Sequence, residues 1–189
     1  HLAADHLKEA RFLINCDSED YHIMTVGSAG SVNLNFSRSL SRRESELPAY
    51  RIAVEGLLGG HSGERIGDGR GNAIRALALA LQALEERGKI EIVTFMGGTA
   101  RNAIPPMAEA IIRSGLSERE IVGVLVAEEK RFHALYGTAD PAMKFAFATV
   151  ENAGRVIDEA EKRDLIDLLT LLRTGVHDMS RLHVGKVET

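Results

Sequence analysis

The stretch YRIAVEGLLGGHSGERIGDGRGNA, residues 50–73, decides the fold because it joins a strand pattern to a helix pattern through a glycine-rich loop. Tyr50, Ile52 and Val54 recur at every second position, which is typical of a half-buried strand. Several glycines then surround a single histidine, His61. Glycine tolerates positive φ and lets the backbone approach other atoms closely. The sequence therefore predicts a shaped strand-to-helix turn that presents a histidine to a ligand.

The pattern on both sides of this stretch defines the fold class. Apolar spacing, glycines and a Ser-x-x-Glu capping box predict a strand over 50–57, a helix over 70–87, strands over 90–95 and 107–113, a helix from 117 to about 137 and a strand over 143–147. This β-α-β-β-α-β order is the split βαβ arrangement called ferredoxin-like. Further strands are predicted over 12–14, 21–26, 32–36 and 184–188, with a surface loop over 37–46 and a third helix over 158–173. We predict an α+β, ferredoxin-like two-layer sandwich, elaborated with extra strands and a third helix.

Composition excludes several classes of protein. The 189 residues are 44% hydrophobic and carry a net charge of −4, which suits a globular core and argues against a nucleic-acid partner. No apolar run reaches the ~20 residues that a membrane helix needs, so we expect no membrane partner. The single cysteine, Cys16, cannot form an internal disulfide, which fits the cytoplasm. Because the chain begins at His1 rather than Met, we expect it to be a piece of a longer protein.

The loop around His61 has two chemical interpretations. Glycines and Ser62 before a helix could cradle a phosphate with backbone N–H groups, which favours nucleotide binding. However, the Walker pattern needs a Lys followed by Ser or Thr at the helix start, and Arg70, Gly71 and Asn72 stand there instead. The simplest alternative is a tight turn in which His61 has no chemical role.

Two further residues are candidates for chemistry. Asp17 follows a predicted strand, where a carboxylate either caps a turn or binds a catalytic metal. Asn102 lies in the loop GGTARNAIPP, residues 97–106, between paired glycines and paired prolines that fix the backbone. Its amide can donate and accept hydrogen bonds, which suits a peptide carboxylate or carbonyl. The acidic pairs at 85–86 and 128–129 lie in predicted helices beside basic residues and are interpreted as solvated faces.

Four motifs in order along the chain carry a family resemblance: INCDSE at 14–19, GLLGGHSGERIGDGRGNA at 56–73, GGTARNAIP at 97–105, and TGVHDMS at 174–180 with VET at the end. Together they resemble the aminoacyl-histidine dipeptidases, the peptidase D or carnosinase-like branch of the di-zinc aminopeptidase and aminoacylase superfamily.

The resemblance implies a role for each candidate residue. Asp17 matches the carboxylate that binds one of two zinc ions. His61 matches a lid histidine that hydrogen-bonds the substrate carbonyl oxygen as it becomes an oxyanion, in related dimers from the neighbouring subunit. Asn102 matches the lid asparagine that contacts the dipeptide substrate. A homodimer that hydrolyses Xaa-His or similar small dipeptides is therefore expected.

The motifs that are missing define the expected domain organisation. The family's His-x-Asp ligand pair does not occur in this sequence, and neither does the Asp-Glu-Glu context of its adjacent Glu pair. We therefore expect residues 1–19 to be a stub of the catalytic zinc domain and residues 20–189 to be the lid domain. Alone, such a chain should be inactive and bind no zinc, and the catalytic domain of the same chain would be its partner. The alternative is a free-standing ferredoxin-like interaction module without catalysis.

Overall fold

The structure is a computed structural model that describes residues 8, 11, 12, 22, 31–179, 187 and 188. The chain forms two compact units, His1–Phe36 and Ser37–Thr189. The second unit contains every helix and strand of the described residues. Its elements are β1 (Arg42–Arg43), β2 (Ala49–Glu55), β3 (Gly60–His61), α1 (Ser62–Arg65), α2 (Ala73–Glu85), β4 (Ile90–Gly97), β5 (Ala103–Ile104), β6 (Ala108–Ser114), α3 (Glu118–Tyr136), β7 (Lys144–Val150), β8 (Val156–Ile157), α4 (Glu159–Leu171), β9 (Asp178–Met179) and β10 (Val187–Glu188).

A four-stranded antiparallel sheet in the order β4-β6-β2-β7 forms the centre of the second unit. The order β2-α2-β4-β6-α3-β7 along the chain is the predicted β-α-β-β-α-β, so the ferredoxin-like fold is confirmed. In the register of the sheet, Ile52 lies opposite Ala110 on one side and Phe147 on the other. The alternation of residues 50, 52 and 54 thus sets which face of β2 is apolar.

The hydrophobic core lies between one face of this sheet and the helices. Tyr50, Ile52 and Val54 of β2 are buried there with Ile90 and Ile92 of β4. The helical residues of the same cluster include Leu77, Leu81 and Leu84 of α2, Ile121 and Leu125 of α3, and Ile166 of α4. Burial of such side chains stabilises the fold by roughly 2 kcal/mol each relative to exposure.

Local signals set the helix starts: α3 begins where its capping box predicted, and α2 begins at Ala73, three residues after its predicted start. The Asn72 side chain accepts hydrogen bonds from the amides of Ile74 and Arg75 and caps α2. Ser117 and Glu120 form the predicted capping box of α3. Hydrogen bonds from the Ser117 side chain and backbone also lower the pKa of Glu120.

A buried carboxylate attaches the β1 segment to the sheet. Glu91 of β4 is 2% exposed, and it accepts from Arg43 at 2.7 Å and lies 2.9 Å from the Lys89 ammonium. Burial alone would raise the pKa of Glu91, but hydrogen bonds from Ser45, Arg43 and Lys89 outweigh burial and lower the pKa to about 2. The same hydrogen bond to Glu91 raises the pKa of Arg43. Glu91 is thus ionised in the folded protein at neutral pH.

A buried lysine attaches α4 in a similar way. Lys162 is 1% exposed, and its ammonium group donates to the Ile90 carbonyl at 3.0 Å and to the Glu85 carboxylate. It also lies 2.9 Å from a Glu159 carboxylate oxygen. Three acceptors surround the charge, as burial of an ammonium group requires.

Three predictions about secondary structure and surface charge need correction. Residues 32–36 form no strand, because alternation alone supplies no neighbouring strand to accept the backbone hydrogen bonds. The predicted surface loop over 37–46 contains β1, which pairs with β8. Glu85 and Glu129 are not simply solvated: Glu85 binds Lys162, and Glu129 accepts from the Phe145 amide at 2.9 Å. The predicted strands over 12–14 and 21–26 lie almost entirely outside the described residues. Residues 184–186 of the strand predicted over 184–188 also lie outside them.

Candidate functional site

The loop between β2 and α2 takes its shape from glycines in left-handed conformations. Gly59 and Gly60 have φ values of +60° and +114°, and Gly69 has +69°. These conformations are rare for residues with a side chain. Between them the chain forms β3, then the single turn α1, and then a 3₁₀ turn, Ile66–Asp68. The loop is therefore a structured turn with His61 near its start.

A short antiparallel ribbon joins the two loops that carry the candidate residues. His61 of β3 lies opposite Ala103 of β5, and Gly60 lies opposite Ile104. The Ser62 amide donates to the Asn102 carbonyl at 2.8 Å, which extends the contact by one residue. The backbones at His61 and Asn102, 41 positions apart in sequence, therefore lie side by side.

The His61 side chain is available to a ligand. It is 48% exposed, and its Nδ1 lies 4.0 Å from a Glu64 carboxylate oxygen, beyond a direct hydrogen bond. A Cβ at Gly63 would lie 3.2 Å from His61 Cε1, so the ring lies against the backbone of Gly63. Both ring edges are thus free of a close hydrogen bond among the described residues.

The Asn102 loop is a tight turn attached to the start of α2. The Ala103 amide donates to the Ala100 carbonyl at 3.3 Å, so Arg101 and Asn102 form the exposed tip. The Pro105 carbonyl accepts from the Ala73 amide at 3.0 Å. A cleft of about 200 Å³ lies beside the ribbon, with Ser62 and Arg70 among its lining residues.

Several backbone N–H groups at the ends of the loop and at the start of α2 already have acceptors. Ser62 N–H binds Asn102, and the amides of Ile74 and Arg75 at the start of α2 bind the Asn72 side chain. Leu58 N–H and Gly71 N–H each bind Asp140. Anion binding at such a turn requires free N–H groups, so this geometry argues against nucleotide binding.

Two side chains without a predicted role hold the loop in place. Arg70 lies within the loop, and Asp140 lies outside it. Arg70 donates to the Gly59 carbonyl and, at 2.9 Å, to the Asp68 carboxylate. Asp140 accepts from both ends of the loop at 2.7 Å. Asp140 follows a helix and precedes Pro141, a context that also suits an ordinary turn. No local pattern identifies a contact made 69 and 82 positions away.

The proposed metal ligand, Asp17, lies outside the described residues. Within residues 31–179, no group of three or more His, Cys, Asp or Glu side chains is placed to hold a metal ion. The described part of the chain therefore offers no zinc site, and no chemical step through a metal can be derived from it. No helix among the described residues is long and apolar enough to span a membrane.

The chain is similar in sequence and in structure to known peptidases. Residues 52–128 match the family model described as a peptidase dimerisation domain. The chain is 30% identical over 186 residues to the cytosol non-specific dipeptidase of Escherichia coli (strain K12), covering 96% of this chain and 38% of that protein. It also superposes on the crystal structure of aminoacylhistidine dipeptidase from Vibrio alginolyticus with a TM-score of 0.71 and 26% identity, covering 81% of this chain and 31% of that one.

These findings agree with the motifs on both sides of the ribbon. The family model begins within β2 and ends within α3, so it includes both the His61 loop and the Asn102 loop. The chain spans well under half the length of either relative. The resemblance to the aminoacyl-histidine dipeptidases is confirmed, and residues 52–128 match a peptidase dimerisation domain.

Proposed function

We propose that the ferredoxin-like unit is the lid and dimerisation domain of a zinc-dependent dipeptidase that hydrolyses Xaa-His or similar small dipeptides. The observation that carries the proposal is the β3–β5 ribbon, since it joins the two loops whose motifs carry the resemblance. In this proposal residues 1–19 belong to a catalytic domain and residues 20–189 to the lid. The name of the relative from Escherichia coli supports a cytoplasmic location.

His61 is proposed to stabilise the developing oxyanion, and Asn102 to contact the substrate. An exposed imidazole on a hydrogen-bonded turn can direct an N–H group toward a substrate carbonyl with little reorganisation. An exposed asparagine at the neighbouring turn can pair with either polar end of a dipeptide. Both residues act in this proposal at the active site of a second copy of the chain.

The zinc ions would be held outside the described residues. Asp17 is the proposed ligand in this chain, and the remaining ligands are proposed to lie in the catalytic domain of the same protein. The lid alone is accordingly proposed to be inactive.

The proposed homodimer has a candidate interface at one edge of the sheet. The β4 edge is blocked, because Arg42 donates to the Val93 carbonyl at 2.8 Å and Lys162 donates to the Ile90 carbonyl. A bulge between Ile92 and Thr94 also distorts β4. Natural sheets protect their edges in these ways.

The β7 edge has less protection. Glu129 accepts from the Phe145 amide, so Phe145 directs its N–H away from β2. Because N–H groups alternate along an antiparallel strand, those of Phe147 and Thr149 also point outward. On α3, Val122 and Val126 are 40% and 62% exposed and share a helix stripe with Glu129. The β7 edge surface, composed of the outer side of 145–149 with Val122 and Val126, is the proposed dimer contact.

The test of the catalytic role is His61→Ala in the full-length protein. Loss of one oxyanion donor should lower kcat by about a hundredfold or more. Asp167→Asn, an exposed change on α4, should leave kcat within about twofold, since surface changes away from a site have small effects. Full kcat/KM in His61→Ala would contradict the role proposed for His61.

A further inference from the structure

A buried carboxylate outside the proposed active-site residues holds both ends of the His61 loop. Asp140 is fully buried. One of its oxygens accepts from the Leu58 amide and the other from the Gly71 amide, each at 2.7 Å. These distances are typical of hydrogen bonds to a charged acceptor. Leu58 and Gly71 delimit the loop, so one side chain closes a span of 14 residues.

Asp140 does not belong to the loop that it holds. It lies in the turn between α3 and β7, where its own amide donates to the Tyr136 carbonyl at 2.8 Å. The ends of the loop fit closely against the same region. A Cβ at Gly71 would lie 2.2 Å from Phe132 Cζ, and a Cβ at Gly56, which has a φ of +84°, would lie 2.0 Å from the Ala142 carbonyl oxygen. The end of α3 and the turn after it therefore form the support of the loop.

The chemistry of this contact requires a carboxylate. Two N–H donors converge on the two oxygens of one side chain. Asparagine has the same shape but only one acceptor oxygen, so its NH₂ group would face one of the two N–H donors. A buried N–H without an acceptor is costly, and the simplest relief is for one end of the loop to detach.

We propose that Asp140 is the positioning residue of His61: by holding both ends of the loop, its carboxylate fixes where the ribbon presents the imidazole. Asp140 does not contact the substrate in this account. The inference rests on the proposed function of His61, although the closure of the loop by Asp140 can be tested without it. Small displacements of a catalytic group lower rates steeply, by about a hundredfold for 1 Å.

The test is a double-mutant cycle in the full-length protein, with an Xaa-His dipeptide as substrate. Asp140→Asn should lower kcat by about tenfold or more with a smaller change in KM, because His61 is misplaced. In a His61→Ala background the same change should lower kcat by less than about twofold, since two residues acting through one contact are not additive. Equal factors in both backgrounds would overturn the positioning role.

The matched control is Ser114→Ala, at the last residue of β6. Ser114 is also fully buried and satisfies two backbone groups, the Lys89 carbonyl at 2.9 Å and the Leu116 amide at 3.1 Å. Ser114→Ala should lower the free energy of unfolding, but it should not lower kcat by a larger factor than it changes KM. If Asp140→Asn does not fold, Asp140→Glu replaces it, because the longer side chain keeps both acceptors but displaces them, and the same non-additivity is expected.

Amide hydrogen exchange separates failure of this inference from failure of the proposed function. Asp140→Asn should accelerate exchange at Leu58, at Gly71 or at both by tenfold or more relative to Ser114→Ala, since it leaves one of the two amides without an acceptor. Unchanged exchange at both amides would overturn the inference whatever the kinetics. A second outcome is accelerated exchange in Asp140→Asn together with full activity in His61→Ala. This outcome would refute the catalytic role of His61 and therefore the positioning role of Asp140. Only the closure of the loop by Asp140 would stand.

Discussion

Glu91 and Asp140 are both buried carboxylates, but their partners give them different consequences. Glu91 faces cations, Arg43 and Lys89, whereas Asp140 faces two backbone amides. An ion pair with a buried member links stability to pH through the pKa of that member. Asp140 holds a backbone shape, since its two oxygens accept from amides at the two ends of the His61 loop. The same chemical group thus serves the β1 segment in one place and the His61 loop in the other.

At the scale of single residues, we predict that Glu91 contributes to the free energy of unfolding and that acid removes this contribution. Its pKa is about 2 in the folded state against an ordinary value of 4.5, so the unfolded chain binds the proton first as the pH falls. The stabilisation is complete above the unfolded value and is lost as pH falls toward 2, by on the order of 2 kcal/mol. Urea unfolding between pH 6 and pH 2 measures it.

Glu91→Gln is the comparison for that titration. It should already be destabilised at pH 6 and should lose less stability than the wild type on acidification, because the titrating group is gone. Parallel pH profiles for the two proteins would contradict the assignment to Glu91.

At the scale of elements, the edges of the sheet decide how the domain can associate. Side chains and a bulge protect β4, whereas the outer N–H groups of Phe147 and Thr149 on β7 point outward. A strand with outward-pointing N–H and C=O groups is a template for another strand. Val122 and Val126 on the adjacent stripe of α3 would extend the proposed contact.

Thr149→Pro should therefore disrupt the proposed dimer and preserve the fold. Proline removes an N–H that points away from β2, and proline is tolerated on the outer side of edge strands. Sedimentation of the full-length protein should change from dimer toward monomer. Thr149→Val retains the N–H and serves as the control; a dimer that survives Thr149→Pro unchanged would contradict the β7 edge surface.

Local patterns predicted most of these elements, and long-range contacts explain what they missed. Asn72, Ser117 and the alternation in β2 act within a few residues of themselves, so the sequence displays them directly. Lys162 and Asp140 act on partners more than 60 positions away, which no periodicity reveals. Residues 32–36 show the converse, since their alternation is that of a strand although they form none.

The candidate site was also predicted in part: its local features were predicted, but the contact between its two loops was not. Glycine spacing indicated a shaped turn at His61, and paired glycines and prolines indicated a fixed loop at Asn102. That the two loops pair with each other depends on the β3–β5 register, which the sequence does not display. The proposed ligand Asp17 stays a prediction, since it lies outside the described residues.

At the scale of the whole molecule, the fold is suited to the proposed exchange of lid residues between two copies. The ferredoxin-like unit provides an edge for association and presents His61 on an exposed loop of the same unit. In a symmetric dimer each copy can then supply its lid histidine to the other. A lid that acts across the dimer makes association and catalysis inseparable.

Subunit complementation tests this claim most directly. Full-length Asp17→Ala and His61→Ala are each expected to be inactive, and in a mixed dimer one of the two sites combines an intact Asp17 with the partner's intact His61. Random pairing should restore about a quarter of wild-type activity, since half of the dimers are mixed and each has one complete site. Pairing Asp17→Ala with the Asp17→Ala, His61→Ala double variant is the control without recovery. A mixture of the two single variants that stays as inactive as its components would contradict the account.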